Sequence, residues 1–184
     1  MKNTKTTKPV KKGGASETTL NELLMTKLSV LHDVEKKLIK ALPKMAKNST
    51  DPELKAGFEK HLKETEGHLA RLDKVFSILD AKPKKITSAA MDGLIEDAEW
   101  VIKNVKGSAA LDANLIAAAG YVEHYEMAGY VSACEWADLL GYGDIADLLE
   151  ETLDEEINAD EKMQDLANAK INDRVKVEGN EDDK

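Results

Sequence analysis

The stretch GYVEHYEMAGY, residues 120–130, sets Glu123, His124 and Glu126 inside a long run of Ala, Leu, Ile and Gly. Such a run reads as a buried helix, yet carboxylates are seldom fully buried unless paired or bound to a cation. What these groups face decides the fold. Apolar residues at alternating spacings of three and four trace the seam Leu115, Ala119, Val122, Glu126, Ala133, Ala137. Glu126 stands in the middle of it. At about 100° per residue, Glu123 lies about 60° to one side and His124 about 160° away. Glu126 is therefore expected to face a core and Glu123 its edge. His124 is expected to face solvent or a neighbouring subunit.

The same count applied outward finds three more seams with polar members. Residues 20–47 give Leu24, Leu28, Leu31, Glu35, Leu38, Leu42. Residues 52–80 give Leu54, Phe58, His61, Thr65, His68, Leu72, with Glu64 on the edge. Residues 144–169 give Leu149, Leu153, Glu156, Asp160, Met163, Ala167. Thr19 and Glu22 have capping-box spacing before the first helix. Pro43 should bend or loosen its last turns. Asp51 and Pro52 mark the start of the second helix. GYGD, residues 141–144, is a tight turn between the helix that runs to about residue 140 and the last one. Residues 88–105 form a shorter amphipathic helix on the long link between the two hairpins. The expected architecture is all-α: a ferritin-like four-helix bundle of two antiparallel hairpins, with a long crossover carrying a short fifth helix. Residues 18–170 make up this domain. Residues 1–17 are expected to be a disordered basic arm, and residues 171–184 a frayed acidic tail.

The polar seam residues fall at one level. Folding about residues 49–51 brings Glu35 beside residues 63–67, and folding about residue 142 brings Glu126 beside residue 158. Unneutralised carboxylates there would repel strongly, since two charges 4 Å apart interact by roughly 4 kcal/mol at an effective dielectric of about 20. They need protons or cations. Carboxylates with a few histidines suit two metal ions, iron first and manganese second. The candidate ligands are Glu35, Glu64, His68, Glu126, Glu156 and Asp160. His61, Glu123 and His32 are additional ligands or groups that orient one. Of the tyrosines at positions 121, 125 and 130, each can pack at the bundle edge or bond to a ligand.

Composition bounds the rest. The 184 residues are 42% hydrophobic, only 4% aromatic and carry a formal net charge of −9. This charge argues against general affinity for nucleic acid or anionic membrane. The lysines at positions 2, 5, 8, 11 and 12 offer at most a weak, salt-sensitive nucleic-acid contact. Cys134 stands alone, which excludes an internal disulfide, a thiolate zinc site and a CxxC electron-transfer module. It is expected to be a buried apolar filler. No apolar run is long enough to span a membrane, and no signal-peptide core stands at the N-terminus, so a cytoplasmic location is expected.

VEHYEMAGY, with HLKETEGHLARLDKVF of the second helix and TLDEEINADEKMQDLA of the last, resembles the YciE/YciF family of bacterial stress-response proteins. The resemblance covers about residues 18–170. It implies a ferritin-like bundle, a homodimer or higher oligomer, and a di-iron or other dinuclear metal centre; the ligand set itself leads to the expectation of iron oxidation or peroxide and oxygen reduction. The alternative is a non-enzymatic helical stress protein that binds a partner and keeps a structural or vestigial metal site. One departure stands out. Ferritin-like sites place Glu-x-x-His on two helices, but Thr65 stands three before His68, and the last helix has no His. Either a π-bulge brings Glu64 and His68 onto one face, or His61 and His68 are the ligands and Glu64 lies behind them.

Overall fold

The structure is a computed structural model that describes residues 18–181. The basic arm expected over residues 1–17 lies outside the described residues. The helices are α1 (Leu20–Asn48), α2 (Pro52–Ile78), α3 (Ala89–Asn104), α4 (Ser108–Leu139), α5 (Gly143–Leu166) and α6 (Asn172–Glu181), with a π segment, Ala167–Ile171, between the last two. Their ends have local causes. The Glu22 amide donates to Thr19 Oγ1 while Glu22 Oε2 accepts from the Thr19 amide, so the capping box forms. Asp51 accepts from the Glu53 and Leu54 amides, and Pro52 fills the first helical position. Gly141, at φ 78°, supplies the left-handed residue of the α4–α5 turn. α1 continues as helix through Pro43 to Asn48.

α1 pairs with α2 and α4 with α5, while α2 packs on α5 and α1 on α4. α1 and α4 run antiparallel: Glu35 meets Tyr130, whereas Thr50, just past α1, meets Asp112. The chain is thus the expected ferritin-like four-helix bundle, with α3 of the crossover lying over α1 and α4. Gly129 permits the close α1–α4 approach, since a Cβ there would lie 2.8 Å from Leu31 Cδ2.

The interior has two apolar cores. One holds Leu38, Leu42, Leu54, Phe58, Leu115 and Met163. The other holds Leu24, Leu28, Leu72, Phe76, Tyr130 and Leu149. Between them along each seam sit the buried polar residues: Glu35 on α1, His61, Thr65 and His68 on α2, Glu123 and Glu126 on α4, and Glu156 on α5.

Three expectations fail, the third being the full burial of Cys134. The C-terminal segment is not frayed over its described part, because helix continues to Glu181. Its polar sequence hides one core residue, fully buried Ile171, and two cations, Lys170 and Arg174, that pair with buried Asp51. The π-bulge proposed for α2 is also absent, as α2 is α-helical throughout its span; the π segment instead follows α5. Cys134 is half-buried, and burial, with the charges of Glu150 and Asp138, pushes its thiol up to about 11.

Candidate metal centre

Two triads of possible ligands form in the polar layer, Glu35–His68–Glu156 and His61–Glu123–Glu156, each with its ligand atoms within 4.8 Å of one another. Glu156 belongs to both. His68 Nδ1 lies 2.9 Å from Glu156 Oε1 and 3.7 Å from Glu35 Oε2. His61 Nε2 lies 3.1 Å from Glu123 Oε1 and 3.7 Å from Glu156 Oε2. The two rings stand 6.3 Å apart, centroid to centroid. The seams explain this convergence: His61 and His68 are seven residues, two turns, apart and so share the inward face of α2.

Close approach is not satisfaction here. Among the described residues, ten buried side-chain nitrogen and oxygen atoms lack any hydrogen-bond partner. All belong to Glu35, His61, His68, Glu123, Glu126, Glu156 and Asp160. Elsewhere the described interior obeys the rule that buried polar groups are paired. Glu126 and Glu156 are the extreme cases, both fully buried with both oxygens unpartnered.

Protonation follows from this confinement. Burial pushes Glu126 well above the usual carboxylate range, and the charges of Glu156, Glu35 and Glu123 push it further. Burial also raises Glu35, against the pull of His68 beside it. Glu156 rises to about 7, chiefly through burial and partly through the Glu123 charge, while His68 opposes the rise. Burial alone would lower His68, but Glu156 and Glu35 outweigh it and raise the ring to about 10. Without a cation the layer is thus held together by protons. Two imidazoles and four carboxylates, with unpartnered atoms turned toward one another, fit a metal ion of the kind that accepts mixed oxygen and nitrogen ligands.

The remaining candidates are placed differently. Glu64 stays at the edge, pairs with Lys60 one turn away, and stands 3.7 Å from His61 Nδ1. The neighbouring His61 and then Lys60 pull its carboxyl down to about 2, against its partial burial. Asp160 is outside both triads; its Oδ2 lies 3.6 Å from Nε2 of exposed His124, while its buried Oδ1 has no partner. His32 does not join the cluster: its Nε2 pairs with Asp73 at 3.0 Å, and its ring packs edge-on against Phe76. His61 and His68 thus face the cluster together, with Glu64 behind His61.

Three functional contacts escaped sequence reasoning or were left open by it. Tyr130, fully buried, donates its hydroxyl to Glu35 Oε1. Its neighbours diverge, for Tyr125 bonds to Ser88 Oγ and Tyr121 is exposed. His68 Nε2 bonds to Glu155 Oε2 at 2.9 Å, and Arg71 grips both oxygens of Glu155. Arg71, one turn beyond His68, and the acidic pair Glu151 and Glu155, one turn apart, were the available signal.

An antiparallel four-helix bundle with a crossover helix and a buried carboxylate–histidine layer defines the class: a ferritin-like helical protein whose centre could hold a metal ion. Comparison with known proteins gives the family. Residues 19–176 match the family described as a domain of unknown function (DUF892), and the chain belongs to it. It is 41% identical over 155 residues to Protein YciF of Escherichia coli (strain K12), covering 84% of this chain and 93% of that one. The crystal structure of the E. coli stress protein YciF aligns with a TM-score of 0.82 at 40% identity, over 85% of this chain and 99% of that chain. YcfI from Rhodopseudomonas palustris aligns at 0.78 and 38% identity, over 80% and 94%. A protein from Xanthomonas campestris pv. campestris shares the fold, at 0.69 and 20% identity, over 88% and 99%. No helix among the described residues is long and apolar enough to cross a membrane.

Proposed function

We propose that the polar layer is a dinuclear metal centre, with iron as its metal, and that the chain is a stress-response protein oxidising iron or reducing peroxide or oxygen. The observation that carries this reading is that nine of the ten described unpartnered buried side-chain polar atoms belong to Glu35, His61, His68, Glu123, Glu126 and Glu156 of the polar layer. One ion would be held by Glu35, His68 and Glu156 and the other by His61, Glu123 and Glu156; Glu126 is in neither triad but is buried close enough to feel the charges of Glu156, Glu35 and Glu123. Manganese suits the same donors. An iron pair there would supply one-electron redox chemistry toward a small oxidant.

The chain's own residues have defined tasks. Glu156 ties the two halves together, and Tyr130 holds Glu35 by its hydroxyl. The apolar cores on either side keep bulk water from the layer. With one cysteine, the chain has no dithiol of its own to supply electrons, so they come from a separate donor or from ferrous iron as substrate. The family resemblance adds self-association as a homodimer or larger, which light scattering would measure.

Metal analysis after anaerobic ferrous loading tests the reading. About two iron atoms per chain are expected, with ferrous-dependent peroxide consumption by the loaded protein. No bound metal, and no change in stability on Glu126→Ala, would sink it. A second reading, a structural metal site in a non-enzymatic partner-binding protein, draws on Thr65 standing where a Glu-x-x-His motif would need Glu. It predicts metal uptake that stabilises the fold without peroxide consumption.

A further inference from the structure

We propose that Glu155, clamped by Arg71, positions His68 as an Nδ1 ligand and thereby makes the two halves of the centre unequal in their hold on a metal ion. This rests on the dinuclear reading above.

The clamp is built across two helices. Arg71 of α2 donates to Glu155 Oε2 at 2.8 Å and to Oε1 at 2.9 Å. The same guanidinium reaches Glu151 at 2.8 Å and the buried Thr152 hydroxyl at 3.1 Å. Such a two-point grip fixes the plane of a carboxylate as well as its position. Glu155 is thereby presented to His68 Nε2, 2.9 Å away. A histidine whose outer nitrogen donates to a carboxylate has its ring orientation set and its other nitrogen committed to the centre. Here that nitrogen is Nδ1, which faces Glu156 and Glu35.

The other half has no such device. Among the described residues, neither ring nitrogen of His61 has a hydrogen-bond partner. The carboxylate beside its Nδ1 is Glu64 at 3.7 Å, beyond hydrogen-bond range. Glu64 is itself tied only to Lys60 and His61, both on its own helix. An i,i+4 pair of that kind, with Lys60 largely exposed, fixes geometry weakly. One imidazole is therefore locked from behind by an interhelical clamp, and the other has no carboxylate within hydrogen-bond range behind it. A pre-oriented ligand loses less freedom on binding, so the His68 half binds more tightly.

Calorimetric titration of the metal-free full-length chain with cobaltous ion tests this. The wild type should take up two equivalents of unequal affinity. Glu155→Ala should weaken the tighter one by about 10- to 100-fold and leave the other within about twofold. Glu155→Gln, which keeps an acceptor oxygen for the ring N–H, should lose less than Glu155→Ala. Lys60→Ala should change neither equivalent. Two equal wild-type equivalents would overturn the proposal, and so would a Glu155→Ala titration like the wild type's. Equal weakening of both equivalents, with a lower thermal midpoint in the metal-free chain, would also overturn it and mark the clamp as a general structural tie. Uptake of fewer than two equivalents by the wild type would overturn the dinuclear reading itself, and the clamp proposal with it.

Discussion

Among the described residues, carboxylates are buried in two places, and only one of them is satisfied. At one end of the bundle, fully buried Asp112 accepts from the Thr50 amide at 2.7 Å, the Thr50 hydroxyl at 2.6 Å and the Asp51 amide at 2.9 Å. Asp51 in turn caps α2 and takes Lys170 at 2.9 Å and Arg174 at 3.1 Å. In the mid-bundle layer, Glu126 is buried as deeply and has no partner on either oxygen. Burial of acids is thus common to a structural knot and to a candidate metal centre. What separates them is whether the chain itself supplies the donors and the counter-charge.

The largest expected effect sharpens that contrast directly. Asp112→Ala leaves two backbone amides without their acceptor and should cost about 3 kcal/mol. In the metal-free protein Glu126→Gln should be silent or stabilising, because it removes an uncompensated buried acid. Urea unfolding of both variants measures the difference. A Glu126→Gln loss as large as that of Asp112→Ala would erase the distinction.

The two regions should also respond to pH with opposite sign. Despite its burial, Lys170 and the Glu53 and Leu54 amides hold Asp51 below its ordinary 3.8. Its contribution is therefore full above that value and is lost as pH falls through the depressed one. Glu156 rises from 4.5 to about 7, so the folded metal-free chain binds the extra proton and its stability declines as pH climbs through that range. His68, raised from 6.5 to about 10, adds stability that is full below 6.5 and fades toward pH 10. Thermal midpoints of the metal-free protein should therefore fall between pH 5 and pH 9. Glu156→Gln should flatten the acidic part of that slope, and a midpoint that rises over the interval would contradict the assignment.

Smaller effects probe single contacts. Tyr130→Phe removes the one hydroxyl that holds Glu35 and should cost about 1 kcal/mol. Glu64→Gln loses the Lys60 pair and the long His61 contact, both within α2 at its solvent edge, and should shift stability by less than about 1 kcal/mol.

Much of this was legible in the sequence because helical seams are periodic. The four seams and the capping box at Thr19 follow from spacing alone, as does the common level of Glu35, Glu64, His68, Glu126, Glu156 and Asp160. The seam count cannot show direction within one turn. Asp160 sits in the seam, yet its carboxylate turns toward His124 and stays out of both triads. Glu123, on the edge by angle, reaches His61. The clamp of Arg71 and Glu155 was hidden because both residues belong to the polar faces of α2 and α5, where charge usually means solvent. The C-terminal helix was hidden for a related reason. Its stabilising contacts depend on Asp51, more than a hundred residues earlier, and no local pattern announces such a partner.

A layer built around metal ions that share Glu156 should lose them when that carboxylate is removed. Metal content after anaerobic ferrous loading, compared between wild type and Glu156→Ala, tests this most directly. The account predicts about two iron atoms per wild-type chain and loss of both from the variant, with the metal-free variant still folded. Iron uptake by Glu156→Ala equal to that of the wild type, or none by either, would contradict it.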